Sequence, residues 1–169
     1  MIALNVAPGL KRNFVCESWP GMDCRIWSRA REEAYDMVKK DIIPDISGCD
    51  IDPKALELSV IHAREAGIEK YIRFTKADVS DFTSEKKYGF IVTNPPYGER
   101  LMDKKETERL YKNIRRVIDK LNTWSFYIIT SYPDFEKTFG KKADKRRKLY
   151  NGRIECQYYQ YLGPKPENI

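Results

Sequence analysis

Residues 91–98 read Ile-Val-Thr-Asn-Pro-Pro-Tyr-Gly, and this run limits the chain more than any other. An apolar, β-branched segment enters it, as a strand would. Pro95 and Pro96 cannot donate to a sheet ladder, so the strand must stop there. Each residue preceding a proline is held in extended geometry, so the loop that follows is stiff. The outcome is a strand end that presents an amide side chain (Asn94), backbone carbonyls and an aromatic ring (Tyr97) from a rigid base. A proline-rich turn with a packing tyrosine is the plainer alternative.

The rest of the chain alternates strands with helices. Residues 1–6 read as the end of a helix, closed by Pro8-Gly9, and residues 7–24 as irregular, with Phe14 and Trp19 pinning that loop by plain packing. A charged amphipathic helix is expected over about 26–40, with Ile26, Ala30, Ala34 and Met37 or Val38 on its inner stripe. Residues 46–52 form a short strand ending in acids. A helix then starts at Pro53 with Asp52 as its cap, buries Leu56, Val60 and Ala63, and ends at Gly67. His62 on that helix reads as a surface residue. Strands are expected at 71–75, 88–93 and 124–130. Between the last two lies the clearest helix, over about 106–121, where Leu110, Tyr111, Ile114, Val117, Ile118 and Leu121 keep a 3.6-residue period. A short helix over 133–139 ends at Gly140. The tail is a hairpin of about 145–150 and 154–162 around Asn151-Gly152. Such alternation predicts an α/β, Rossmann-like fold, a mostly parallel sheet with helices on both faces and an antiparallel hairpin at its edge.

Composition narrows the function classes. The chain has 169 residues, one domain's worth, and 41% hydrophobic content, enough for a core. Its net charge of +6 is compatible with a polyanionic partner. Four scattered cysteines without a C-x-x-C pair, and a single histidine, argue against a zinc site and a disulfide framework. A reducing, cytoplasmic setting fits. The first residues lack the features of a signal peptide, and no apolar run reaches membrane-spanning length.

Ligands of open α/β sheets bind beyond the carboxyl ends of the strands. Asp50, Asp78 and Asn94 each follow a strand at that end. An acid between strand and helix suits a ribose diol, because a carboxylate accepts from both hydroxyls. A second acid one strand later can accept from a purine's exocyclic amine. The Asn94 oxygen and the Pro95 carbonyl offer acceptors, and Tyr97 offers a stacking face, which together suit a planar, amine-bearing group.

This set resembles the S-adenosylmethionine-dependent amino-methyltransferases, in which Asn-Pro-Pro-Tyr follows the fourth strand. The stretches Met1-Ile-Ala-Leu-Asn-Val-Ala-Pro-Gly-Leu-Lys-Arg-Asn-Phe, Gly48-Cys-Asp-Ile-Asp-Pro, Thr93-Asn-Pro-Pro-Tyr-Gly-Glu-Arg-Leu and Gly140-Lys-Lys-Ala-Asp-Lys-Arg-Arg-Lys-Leu-Tyr-Asn-Gly narrow it. They resemble the THUMP-containing large-subunit ribosomal RNA guanine-N2 methyltransferases of the RlmL/YpsC type, over essentially the whole chain. The resemblance implies a class I methyltransferase fold and S-adenosyl-L-methionine as cofactor. It implies that Asp50 binds the ribose, that Asp78 binds the adenine N6, and that Asn94 also takes part in binding the cofactor. Asn94, Pro95, Pro96 and Tyr97 would hold the guanine of 23S ribosomal RNA whose N2 amine is methylated.

Residues 137–148 hold seven cations, Lys137, Lys141, Lys142, Lys145, Arg146, Arg147 and Lys148, against Asp144. A solvated face and a phosphate-contacting rim are both open readings, and Arg100 is a second candidate for such a rim. The resembled family also has a first strand, a glycine-rich loop and a THUMP region, none of which residues 1–25 match. The chain is therefore expected to be a C-terminal, partial methyltransferase domain, with open ladder edges covered by further chain or by self-association, and to bind cofactor poorly or be inactive alone. Methylation of DNA adenine N6 or of a protein glutamine, and a non-catalytic RNA- or partner-binding module, are the competing readings.

Overall fold

The computed structural model describes residues 1–96 and 103–167. The backbone divides into two compact units, Met1–Ala77 and Asp78–Ile169.

In the first unit the expected helix end is a single 3₁₀ turn, Ile2–Leu4, closed by Asn5 in the left-handed region (φ 53°). Helix α1 spans Cys24–Asp36, and the Asp23 carboxylate caps it by accepting from the Arg25 N–H at 3.0 Å. Its inner face is not the expected stripe. Ile26 and Met37 are 59% and 57% exposed, and Ala30 is also exposed, whereas Trp27, Arg31, Ala34 and Val38 are half-buried. The irregular segment before the helix sets this rotation. Phe14 stacks on Trp27 with ring centroids 5.2 Å apart, and Arg31 pairs with Glu17 at 2.5 Å. Trp19, expected to pin the same segment, is 60% exposed, so Phe14 does that work alone of the two.

Strand β1 (Ile46–Asp50) pairs in parallel with β2 (Ile72–Lys76), with Asp50 opposite Lys76. The crossover between them is α2, Pro53–Glu65. It begins as expected: Pro53 sits in the first turn and Asp52 accepts from the Lys54 N–H at 2.9 Å. Ala63 on its inner face is buried, His62 is exposed, and Gly67 follows the helix at φ 72°. Strand β2 starts at Ile72 because residues Glu69–Tyr71 form a 3₁₀ turn.

The second unit holds β3 (Phe90–Thr93), α3 (Lys104–Lys120), β4 (Ser125–Thr130), α4 (Phe135–Phe139), β5 (Lys145–Asn151) and β6 (Ile154–Tyr161). Its sheet order is β3-β4-β6-β5, with β3 and β4 parallel and the hairpin antiparallel. Among the described residues β1 pairs only with β2 and β3 only with β4, so the strands form two ladders with open edges. Strand β3 starts two residues late because Tyr88 is left-handed (φ 59°) and Gly89 lies under the Trp124 ring. The hairpin turn also moves by one residue. Asn151 pairs with Ile154, so Gly152 and Arg153 are the central residues, with the positive φ (61°) on Gly152 alone, as a type II′ turn requires.

The core of this unit follows the period read in the sequence. Tyr111, Ile114, Val117, Ile118 and Leu121 of α3 are buried against Phe126 and Ile128 of β4 and Tyr159 and Tyr161 of β6. Burial of each such side chain contributes about 1.5–3 kcal/mol. Phe135 of α4 meets Tyr111 edge-on at 4.9 Å and Tyr159 at 4.6 Å, locking the short helix to both layers. Gly140 then ends α4 at φ 76°. The opposite side of β3 is open, with Phe90 and Val92 69% and 73% exposed. Among the described residues no helix is long and apolar enough to cross a membrane.

Candidate active site

Asp50 ends β1 in the first unit. Its side chain is exposed, and its Oδ1 accepts from the Asp52 N–H at 2.9 Å. That bond turns the chain into α2 and leaves the second carboxylate oxygen without a partner among the described residues. The backbone carbonyl of Asp50 accepts from the Ala77 N–H at 3.1 Å, tying the ends of β1 and β2 together.

Asp78 opens the second unit. Its Oδ1 accepts from the Ser80 N–H at 2.8 Å and from the Ser80 hydroxyl at 2.6 Å, which starts a 3₁₀ turn over Val79–Asp81 where an irregular loop was expected. These two bonds from Ser80, helped by the nearby Arg109 guanidinium, hold the Asp78 carboxyl below its ordinary range. It is therefore a carboxylate at neutral pH, with one oxygen left to accept.

Asn94 is the first residue past β3. It is exposed, and its side-chain amide has no hydrogen-bond partner among the described residues. Pro95 behind it is buried, and Pro96 is exposed. A polar side chain thus stands at a strand end with no hydrogen bond to another described residue. Tyr97 and Arg100 lie outside the described residues.

Parallel pairing of Thr93 with Ile128 brings the end of β4 to the same side as Asn94. That end is fixed by a hydroxyl network which sequence reasoning missed. The Tyr111 phenol and the Thr130 hydroxyl are 2.7 Å apart. The Tyr132 N–H donates to Thr130 Oγ1 at 3.1 Å, and the Tyr132 hydroxyl donates to Glu108 at 3.1 Å. A Ser-Tyr-Pro run after a strand was the available signal, since it repeats the logic of the Asn94 loop. Thr130, Ser131, Tyr132 and Pro133 line one side of a groove of about 590 Å³, and Arg146, Glu155, Gln157 and Tyr159 line the other.

Of the basic residues in the tail, Lys141, Lys142, Lys145, Arg146, Arg147 and Lys148 are all exposed. Lys141 and Lys142 precede β5, and the other four lie on it. Arg146 is 3.5 Å from Glu136, and Lys148 is 2.8 Å from Glu155. Part of the charge is therefore matched internally. Among the described residues there is no cluster of side chains able to hold a metal ion.

Asp50 and Asp78, each in its own unit, keep one carboxylate oxygen without a partner among the described residues, and such an oxygen is able to accept from a hydroxyl or an amine. Residues 1–25 carry no run of glycines; Gly9 and Gly21 stand alone.

Comparison with known proteins gives this arrangement a family. The chain is 42% identical over 161 residues to YpsC of Bacillus subtilis (strain 168), provisionally named an RNA methyltransferase, and covers 42% of that protein. It is 34% identical over 176 residues to the ribosomal RNA large subunit methyltransferase K/L of Marinobacter nauticus, covering 24% of it. The chain thus spans less than half the length of the curated relatives it matches. Among solved structures, 99% of the chain superposes on 44% of SMU.472, a provisionally named methyltransferase complexed with SAH, with a TM-score of 0.93 and 42% identity. A Listeria monocytogenes protein predicted to be an N6-adenine-specific DNA methylase gives a TM-score of 0.88 and 44% identity over 96% of the chain and 42% of its own. These likenesses establish a Rossmann-like class I methyltransferase fold. Residues 1–160 match the model of UPF0020, the RMKL-like methyltransferase domain, and the chain belongs to that family.

Proposed function

We propose that this chain supplies part of the catalytic domain of an S-adenosylmethionine-dependent methyltransferase acting on the exocyclic N2 amine of a guanine in 23S ribosomal RNA. The observation that carries this reading is Asn94, exposed at the end of β3, its amide without a hydrogen-bond partner among the described residues, and followed by buried Pro95. Bound S-adenosylmethionine supplies an electrophilic methyl group on a sulfonium.

The residues would divide the work as follows. One oxygen of Asp50 accepts from the ribose hydroxyls, and one oxygen of Asp78 accepts from the adenine amine. The Asn94 side-chain oxygen and the Pro95 carbonyl accept from the target amine. A guanine amine is a weak nucleophile because its lone pair is delocalised into the ring. Two acceptors on its hydrogens help localise that lone pair, aim it, and stabilise the positive charge that grows on nitrogen during transfer. Tyr97 would stack on the extruded base and offset part of the cost of unstacking it. Lys141, Lys142, Lys145, Arg147 and Arg100 would contact RNA phosphates. Further chain or self-association would cover the exposed Phe90 and Val92.

The large-subunit ribosomal RNA methyltransferase among the relatives and the net charge of +6 support RNA as substrate. The name of the Listeria protein favours a second reading, in which the same loop methylates adenine N6 in DNA. The two separate by product. The enzyme is incubated with S-adenosylmethionine carrying a labelled methyl group and either ribosomal RNA or DNA, and each is digested to nucleosides. Label in N2-methylguanosine from RNA is expected. Label in N6-methyl-2′-deoxyadenosine from DNA would reject the guanine assignment in favour of the second reading.

A further inference from the structure

We infer that the solvent face of α3 is a docking surface for the backbone of single-stranded RNA, built from Lys105, Arg109, Lys112 and Arg116. This rests on the proposed RNA-methylating function and assigns that function a second phosphate track, separate from the basic tail on β5.

The four cations stand at offsets 0, 4, 7 and 11, so all fall on one face of the helix. They span about 16 Å along the axis, the length of several consecutive phosphates. All four are exposed, on the side away from the buried Tyr111–Ile118 stripe. None has a carboxylate ion-pair partner among the described residues. Among the described residues Arg116 donates only to the Asn113 side chain, at 3.3 Å. Arg115, off this face, is by contrast paired with Asp119 at 2.7 Å. Like charges spaced three and four residues apart disfavour a helix. Here the Asp78 carboxylate near Arg109 and Glu108 in the same groove offset them in part. A polyanion lying along the face would offset the rest.

The surroundings indicate which polyanion. The four residues line a groove of about 690 Å³ whose other lining residues are Ser80, Glu108 and Asn113. Every one of these is polar or charged. A protein partner would call for an apolar or aromatic centre, which this groove lacks. A phosphodiester backbone needs cations in a row with hydrogen-bonding groups beside them, and here four cations face one carboxylate, Glu108. The position suits a substrate track as well. Ser80, at one wall of the groove, is the residue that holds Asp78, so a strand lying on α3 would pass close to the cofactor-side acid of the same unit.

The test is the salt dependence of binding of this chain to a fluorescent single-stranded oligoribonucleotide. Neutralising all four positions to Gln should make the slope of log K against log salt shallower by about 3. The milder Lys105→Gln/Lys112→Gln variant should account for about 1.4 of that, and circular dichroism checks that both variants keep their helix content. A wild-type slope retained by both variants would overturn the surface. Poly-L-glutamate binding as tightly as RNA of equal charge would overturn RNA as its partner. Neither readout needs catalysis, so failure here is separable from failure of the methylation reading, which nucleoside analysis reports.

Discussion

The phenolic oxygen of Tyr111 lies 2.7 Å from Oγ1 of Thr130, and both side chains are almost closed to solvent. The pair joins α3 to the last residue of β4, beside the strand end that carries Asn94. Tyr111→Phe leaves the Thr130 hydroxyl with a buried partner missing and should cost about 1–2 kcal/mol in urea unfolding. Thr130→Val should cost more, because the Tyr132 N–H loses its acceptor as well. The double variant should lose less than the sum of the two, with a coupling of about 0.5–1.5 kcal/mol. Additive losses would mean that the two hydroxyls do not support each other.

Ser80 sets the protonation of Asp78. Two hydrogen bonds from Ser80 hold the Asp78 carboxyl below the ordinary aspartate value, so the charged form stabilises the fold. That contribution is present above the unfolded-state value of about 3.9 and is lost as pH falls through the lower folded value. Ser80→Ala removes the hydroxyl bond at 2.6 Å and keeps the backbone one. In a carbon-13 NMR titration the Asp78 carboxyl should protonate at a higher pH in the variant than in the wild type. An unchanged midpoint would show that the hydroxyl does not govern this acid.

Helix α3 begins with a reciprocal cap. The Asp103 carboxylate accepts from the Glu106 N–H at 2.8 Å, and the Asp103 N–H donates to the Glu106 carboxylate at 3.3 Å. Asp103→Ala should destabilise the protein by about 1 kcal/mol. Glu106→Ala should cost less, since it removes only the longer of the two bonds. Thermal or urea unfolding of the two variants reads the order directly.

Much of this was legible in the sequence where a period or a breaker decides the outcome. The α3 stripe is clean, and its buried residues are the ones the period marks. Asp52-Pro53 at the start of α2 and Gly140 at the end of α4 act as their chemistry requires. Asp50, Asp78 and Asn94 stand at strand ends as expected. The face of α1 was misread because its partners, Phe14 and Glu17, lie in an irregular segment that periodicity does not sense. The β4 end was missed for a similar reason. Tyr111 reads as one more apolar residue of its stripe, and only the tertiary pairing of α3 with β4 gives its hydroxyl to Thr130.

The central claim is guanine N2 methylation of ribosomal RNA through Asn94. Its most direct test is mass spectrometric mapping of 23S ribosomal RNA from cells in which the coding sequence of this chain is deleted, with complementation by the wild-type gene and by Asn94→Ala. Loss of a single N2-methylguanosine is predicted, restored by the wild type and not by Asn94→Ala. A methylation map unchanged by the deletion, or full restoration by Asn94→Ala, would contradict it.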